Sequence, residues 1–187
     1  NVSLSLDVIK KELDMLSADE YRANRIASGT GYDLGGSTDW LDEVSRVGVR
    51  MQHTLTLSGG NARSNYRASV DYRNAQGIDK YSNRREYGGR ASINHTTKSG
   101  LFTFSLNIAP RIAYRKNASW DVFRNAIEAN PTTPIMDPQN PSQYYNFKGQ
   151  EAGYNPVELE KLDKNTGTTK LLDWDGTVRL NLLPLLA

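Results

Sequence analysis

The sequence contains no cysteine. That excludes disulfides and thiolate metal sites and leaves the compartment open. Histidine is scarce: His53 and His95 both fall in stretches expected to be strands, with no His-x-x-His spacing. Strand packing is their expected role, and no metal or cofactor is expected. Charge of one sign is also lacking. Lys and Arg total 23 against 21 Asp and Glu, a net +2, too balanced to recruit nucleic acid as a main partner. No apolar run approaches the roughly twenty residues of a membrane helix, and mean hydropathy is −0.63. Helical spans are excluded. Barrel strands are not, because they are apolar on one face only. The start lacks the charged and apolar regions of a signal peptide. Both ends read as internal to a longer chain.

What the sequence does have is alternation. In 65–73, Tyr66, Ala68, Val70 and Tyr72 alternate with Asn65, Arg67, Ser69, Asp71 and Arg73. Successive strand side chains point to opposite faces, so one face is apolar and the other polar. Leu55 and Leu57 alternate with Thr54, Thr56 and Ser58 just before, across a Ser58-Gly59-Gly60-Asn61 reversal. A third strand is expected from about Glu86 to Thr96. A fourth, of about fourteen residues, carries Phe102, Phe104, Leu106, Ile108, Ile112 and Tyr114 on one face, with Pro110 marking a bulge or a break in pairing. A fifth carries Leu172, Trp174, Val178 and Leu180. The sheet begins near Val49 on this reading.

Ahead of it, Ser17-Ala18-Asp19-Glu20 is a capping box opening a short helix to about Ile26. Thr38 or Asp39 caps a second helical turn anchored by Trp40 and Leu41. Between strands four and five, 116–169 shows no strand pattern. It opens with a helix from Ser119 to Ile127, then turns rich in proline. The reversals at 59–64 and 97–100 are short, and those at 76–84 and 116–169 long. Such alternation of short turns with long loops is the rhythm of outer-membrane barrels.

Four aromatic residues of the long loop are candidate ligand or partner contacts: Trp120, Phe123, Tyr144 and Tyr145. Helical spacing makes Trp120 and Phe123 the expected core of the loop helix, whereas Tyr144 and Tyr145 are expected to be exposed. Asp173 and Asp175 share one strand face, and paired carboxylates can do acid–base work. No nucleophile, base and orienting group assemble around them, so no catalytic residue is expected.

The ordered set Thr38-Asp39-Trp40-Leu41-Asp42-Glu43-Val44, His53-Thr54-Leu55-Thr56-Leu57-Ser58-Gly59-Gly60-Asn61, Asn65-Tyr66-Arg67-Ala68-Ser69, Gln76-Gly77-Ile78, Arg90-Ala91-Ser92-Ile93-Asn94 and Asn130-Pro131-Thr132 resembles SusC/RagA-type TonB-dependent outer-membrane transporters. The resemblance implies an all-β fold: a segment of an antiparallel transmembrane β-barrel of about twenty-two strands with a plug. It implies the end of the plug and its connection in 1-48, and the first barrel strands in 49-187 with an extracellular loop at 116-169. It implies a bacterial outer-membrane location and contact with lipid. It further implies import of oligosaccharides or peptides beneath a SusD-like lipoprotein, powered through TonB, whose contact segment would precede Asn1. Two other readings remain at this stage: a soluble β-sandwich carbohydrate-binding module, and a hydrolase on a β scaffold. A sandwich needs a second sheet to cover the apolar face.

Overall fold

The computed structural model describes residues 2–7, 13–162 and 165–182. Six strands form one sheet in chain order: β1 (Val2–Asp7), β2 (Gly48–Gly60), β3 (Ser64–Gln76), β4 (Asn83–Thr96), β5 (Phe102–Lys116) and β6 (Thr166–Leu180). Every neighbouring pair is antiparallel. Among the described residues there is one sheet and no second sheet to cover its apolar face.

The sheet gains one strand over the sequence reading. Val2–Asp7 pairs with β2 from Val2↔His53 to Asp7↔Gly48, so the sheet does not begin near Val49. The segment between Asp7 and Gly48 therefore joins two adjacent strands. β4 and β6 also start earlier than expected, at Asn83 and Thr166, which shortens the long connection to 117–165. In sequence, Val2, Leu4 and Leu6 do alternate with Ser3, Ser5 and Asp7, whereas 83–85 and 166–170 are added by backbone pairing that side-chain alternation does not report.

Pro110 leaves a gap and no bulge. Pairing runs from Gly88↔Arg111 to Ala91↔Ile108. Two residues are skipped on each strand, so none is inserted. Proline has no N–H to donate, and the ladder resumes in unchanged register.

The two short reversals are built from side-chain acceptors. Asn61 Oδ1 accepts from the amides of Arg63 (2.9 Å) and Ser64 (3.0 Å). In the 97–101 turn Thr97 Oγ1 accepts from the Phe102 amide (3.1 Å), beside a backbone bond from the Gly100 amide to the Thr97 carbonyl (2.9 Å), and Gly100 adopts a φ of 71°, a conformation that costs glycine little. These turns lie at one end of the sheet, the hairpin end. The connections before β2, between β3 and β4, and between β5 and β6 all lie at the other, the loop end.

The described residues of the loop end carry short helices: α1 (Ala18–Tyr21), continued by a π-helical turn (Arg22–Ile26), α2 (Trp40–Val44), α3 (Trp120–Glu128) and α4 (Pro156–Leu162). The expected capping box is present: Ser17 N–H donates to Glu20 Oε2 (2.9 Å), and the Glu20 amide to Ser17 Oγ (3.3 Å). Asp39, rather than Thr38, caps α2 through the Asp42 amide (3.0 Å). Among the described residues the buried apolar cluster lies here: Trp40, Val44, Val122, Ala126, Ala129, Phe147 and Ala152. The large apolar side chains of the sheet are mostly exposed instead.

Candidate functional site: the two sheet faces and the loop end

Register places the apolar residues of β2 to β6 side by side. One row runs Leu57, Ala68, Ala91, Ile108, Trp174; the next runs Gly59, Tyr66, Ile93, Leu106, Gly176. Leu55 and Trp174 are each 72% exposed, and Val178 66%. Monomeric soluble proteins rarely expose contiguous apolar patches beyond a few hundred Å². A five-strand face of Leu, Ile, Val and aromatics exceeds that and matches a hydrocarbon environment.

Aromatic residues border this band at both ends. Tyr72, Tyr87 and Tyr114 lie toward the loop end, with ring centroids 5.1 and 6.4 Å apart in sequence. Tyr66, Phe102 and Phe104 lie toward the hairpin end, the two phenylalanines stacked at 6.1 Å. Along β5, Phe104 and Tyr114 stand about 34 Å apart at about 3.4 Å per residue. A tilt of about 40° projects that to about 26 Å, the height of the apolar band of an outer-membrane barrel.

The opposite face is mainly polar, with Leu171 and a few alanines among its charged and amide side chains. Arg73 pairs across the ladder with Glu86 (3.8 Å), which also contacts Arg84. Asn94 donates to Asn65 Oδ1 (3.0 Å), and Asn107 to Asp175 Oδ1 (3.2 Å). Asp173 and Asp175 do share this face, within a ladder of amides and arginines. A cleft of about 390 Å³ opens between Asp71, Arg73, Glu86, Arg90, Arg111 and Asp173. Such a wall can line a wet lumen and offers both signs of charge to a polar solute.

At the loop end, segments far apart in sequence are laced together. The Gly36 amide donates to the Thr132 carbonyl (2.7 Å), and the Thr38 amide to the Pro131 carbonyl (2.9 Å). Trp40 Nε1 donates to the Asn130 carbonyl (3.1 Å), and its ring meets Phe147 edge-on at 5.4 Å. Gly36 permits the approach: a Cβ there would stand 2.7 Å from Pro134 N and 2.8 Å from Thr132 O. Arg22 braces the same segment through Asp33 (2.8 Å) and the Gly36 carbonyl (2.7 Å), and this pairing holds the Asp33 carboxyl below its ordinary range. A cleft of about 700 Å³ separates residues 14–32 from the C-terminal end of α3, with Tyr21, Tyr32, Arg25 and Glu151 among its walls.

The four aromatic candidates of the long loop separate here. Phe123 packs on the buried cluster, as its helical spacing predicts. Trp120 does not: it begins α3 and is 77% exposed. Tyr145 is not exposed; it packs against the cluster, with Phe147 at 6.5 Å. Tyr144 is half-buried, and Lys161 lies 5.1 Å from its ring. Of these four, only Trp120 is openly exposed; Tyr154, further along the same loop, is exposed as well. Sequence reasoning missed the contribution of Phe147, whose ring meets Trp40, and of Asn130 and Thr132, whose carbonyls accept from Trp40 and Gly36, all across about a hundred residues. It also missed two buried acids, Asp79 and Glu160.

No family model matches the chain. The TonB-dependent receptor SusC of Bacteroides thetaiotaomicron is 32% identical over 188 residues, covering 97% of this chain and 17% of that protein. The TonB-dependent receptor P3 of Formosa agariphila is 34% identical over 88 residues, covering 46% of this chain and 9% of that protein. The chain thus spans less than a fifth of the curated relatives it matches. Among solved structures, the RagAB peptide importer in its closed-closed state aligns with a TM-score of 0.70 over 97% of this chain and 26% of that one, at 15% identity, a likeness of fold. Two-faced sheet, aromatic borders, sequence match and fold agree: the chain belongs to the SusC/RagA-type TonB-dependent transporters, and its sheet is a stretch of their antiparallel barrel wall.

Proposed function

We propose that this chain is part of a bacterial outer-membrane transporter that imports oligosaccharides or peptides with energy passed through TonB, beneath a SusD-like lipoprotein. One observation carries the reading: a single sheet exposes a continuous apolar face between aromatic borders and a charged face behind it. Lipid covers the first, and the second lines the path of the solute. The protein carries its substrate without converting it.

In this reading the hairpin end is periplasmic and the loop end extracellular. The segment 13–47 then belongs to the outer rim rather than to the plug. Its support is topological: it connects neighbouring strands at the same end as 117–165 and shares a buried cluster with that loop. Trp120, exposed on this rim, suits contact with a glycan or with the covering lipoprotein.

The test is uptake by cells lacking the full-length protein and complemented with it. Labelled oligosaccharides and peptides are offered in strains with and without TonB. TonB-dependent accumulation of one class, with the protein in the outer-membrane fraction, is the expected result. A fully soluble parent protein would overturn the reading.

A further inference from the structure

Helix α4 of the long loop meets the β3–β4 connection through two carboxyl groups. Asp79 is 2% exposed and Glu160 4% exposed, and the two side chains face each other. Asp79 Oδ1 is satisfied by the amides of Tyr81 (2.9 Å) and Ser82 (2.8 Å). Asp79 Oδ2 and both Glu160 carboxyl oxygens make no hydrogen bond of good geometry, although the Tyr81 amide lies close enough to favour the Glu160 charge slightly. The nearby cations are engaged elsewhere. Lys80 Nζ donates to the Asp42 carbonyl (2.6 Å), and Arg46 to the carbonyls of Gly77 (3.2 Å) and Ser82 (2.7 Å). Lys161 lies over the Tyr144 ring and Lys116 over Tyr81.

Two ionised carboxylates buried face to face, with Asp79 Oδ2 and both Glu160 oxygens unpaired, are strongly disfavoured. One proton removes the conflict, because a protonated Glu160 donates its O–H to Asp79. We propose that Asp79 and Glu160 share one proton and form a pH-sensitive latch holding α4 of the long loop to the β3–β4 connection. Burial, then the charge and hydrogen bonding of Asp79, push the Glu160 carboxyl from 4.5 up to about 8, against the opposing Lys80 charge and Tyr81 amide. The groups facing it are Asp79, Lys80 and Tyr81 from the connection, Lys161 from α4, and Tyr144 from the preceding loop. Tyr81 is raised above its ordinary value by burial and stays neutral.

The sign follows from the raised value. The closed latch binds one proton more than the open one between about pH 5 and 8. The latch is therefore tightest below that window, loosens as pH rises through it, and is weakest above about 8. A single linked proton changes the opening equilibrium by up to about tenfold per pH unit.

The test uses the full-length protein in outer-membrane vesicles. Limited proteolysis within 117–165 is measured from pH 5 to 9 and divided by cleavage of an unfolded substrate in the same buffer. Cleavage of the wild type should climb steeply with pH and level off above about 8, whereas Glu160→Gln should stay resistant and flat. Equal slopes in the two proteins would overturn the latch. So would acceleration by EDTA at pH 6, which would put a cation in place of the proton. If Glu160→Gln is cleaved rapidly at every pH, Asp79→Asn decides: its inflection should move to lower pH, and an unmoved inflection overturns the proposal.

Discussion

Val70→Arg in the full-length protein probes which face meets lipid. Val70 lies at the centre of β3, between Leu55 on β2 and Gly89 on β4, and is 60% exposed. Tyr66 and Tyr72 flank it toward the two aromatic borders, so it sits near the middle of the apolar band. An arginine near the bilayer midplane of a barrel costs about 2–4 kcal/mol. That lowers the folding equilibrium constant by about thirtyfold to nearly a thousandfold. Ser69 points the other way, with Thr56 and Arg90 as its cross-strand neighbours. Ser69→Arg stays wet and meets the like charge of Arg90, a cost of up to about 1 kcal/mol. The assay is a denaturant titration of the full-length protein folded into lipid vesicles, read by the heat-modifiable mobility of the barrel. Val70→Arg should lose clearly more stability than Ser69→Arg. Equal losses, or the reverse order, would refute the facing.

Three further outcomes are expected. Gly36→Ala should loosen the rim, since its Cβ meets the backbone of Thr132 to Pro134 at under 3 Å; a cost of about 1–3 kcal/mol would appear as faster proteolysis near residues 30–40. Trp40→Ala, which removes a nearly buried ring and its bond to the Asn130 carbonyl, should cost about 3–5 kcal/mol and release 130–134 in hydrogen exchange, while Trp40→Phe should cost far less. Residues 1–187 expressed alone should aggregate or pair edges between copies, because six open strands leave unpaired amides at both edges; a monodisperse, cooperatively melting monomer in buffer without detergent would contradict this.

The sequence was most informative where side chains alternate. From Leu55 to Tyr72 and from Phe102 to Tyr114, the apolar and polar sets predicted from period two are the two faces of the sheet. The capping box at Ser17 and the cap at Asp39 were equally legible, because each needs only residues three apart. Val2–Asp7 was not read as a strand although Val2, Leu4 and Leu6 alternate with Ser3, Ser5 and Asp7, because its partner β2 lies about forty residues on. The rim was harder still. Trp120 and Phe123 share helical spacing, yet only Phe123 finds the cluster, because the partners that decide this, Trp40 and Phe147, lie on other segments. The Asp79–Glu160 contact joins a turn to a helix about eighty residues later, and no local pattern marks either acid.

The central claim is that this sheet crosses the outer membrane with its loop end outside. Cysteine is absent from the chain, so single cysteines in the full-length protein report topology directly if the remainder is also freed of thiols. Gln143→Cys and Ser28→Cys lie on exposed positions of the loop end, and Ala62→Cys on the exposed turn of the hairpin end. Intact cells are treated with a membrane-impermeant maleimide, then permeabilised and treated again. The account predicts labelling at 143 and 28 in intact cells, and at 62 only after permeabilisation. Labelling at 62 with protection at 143 and 28 would contradict it.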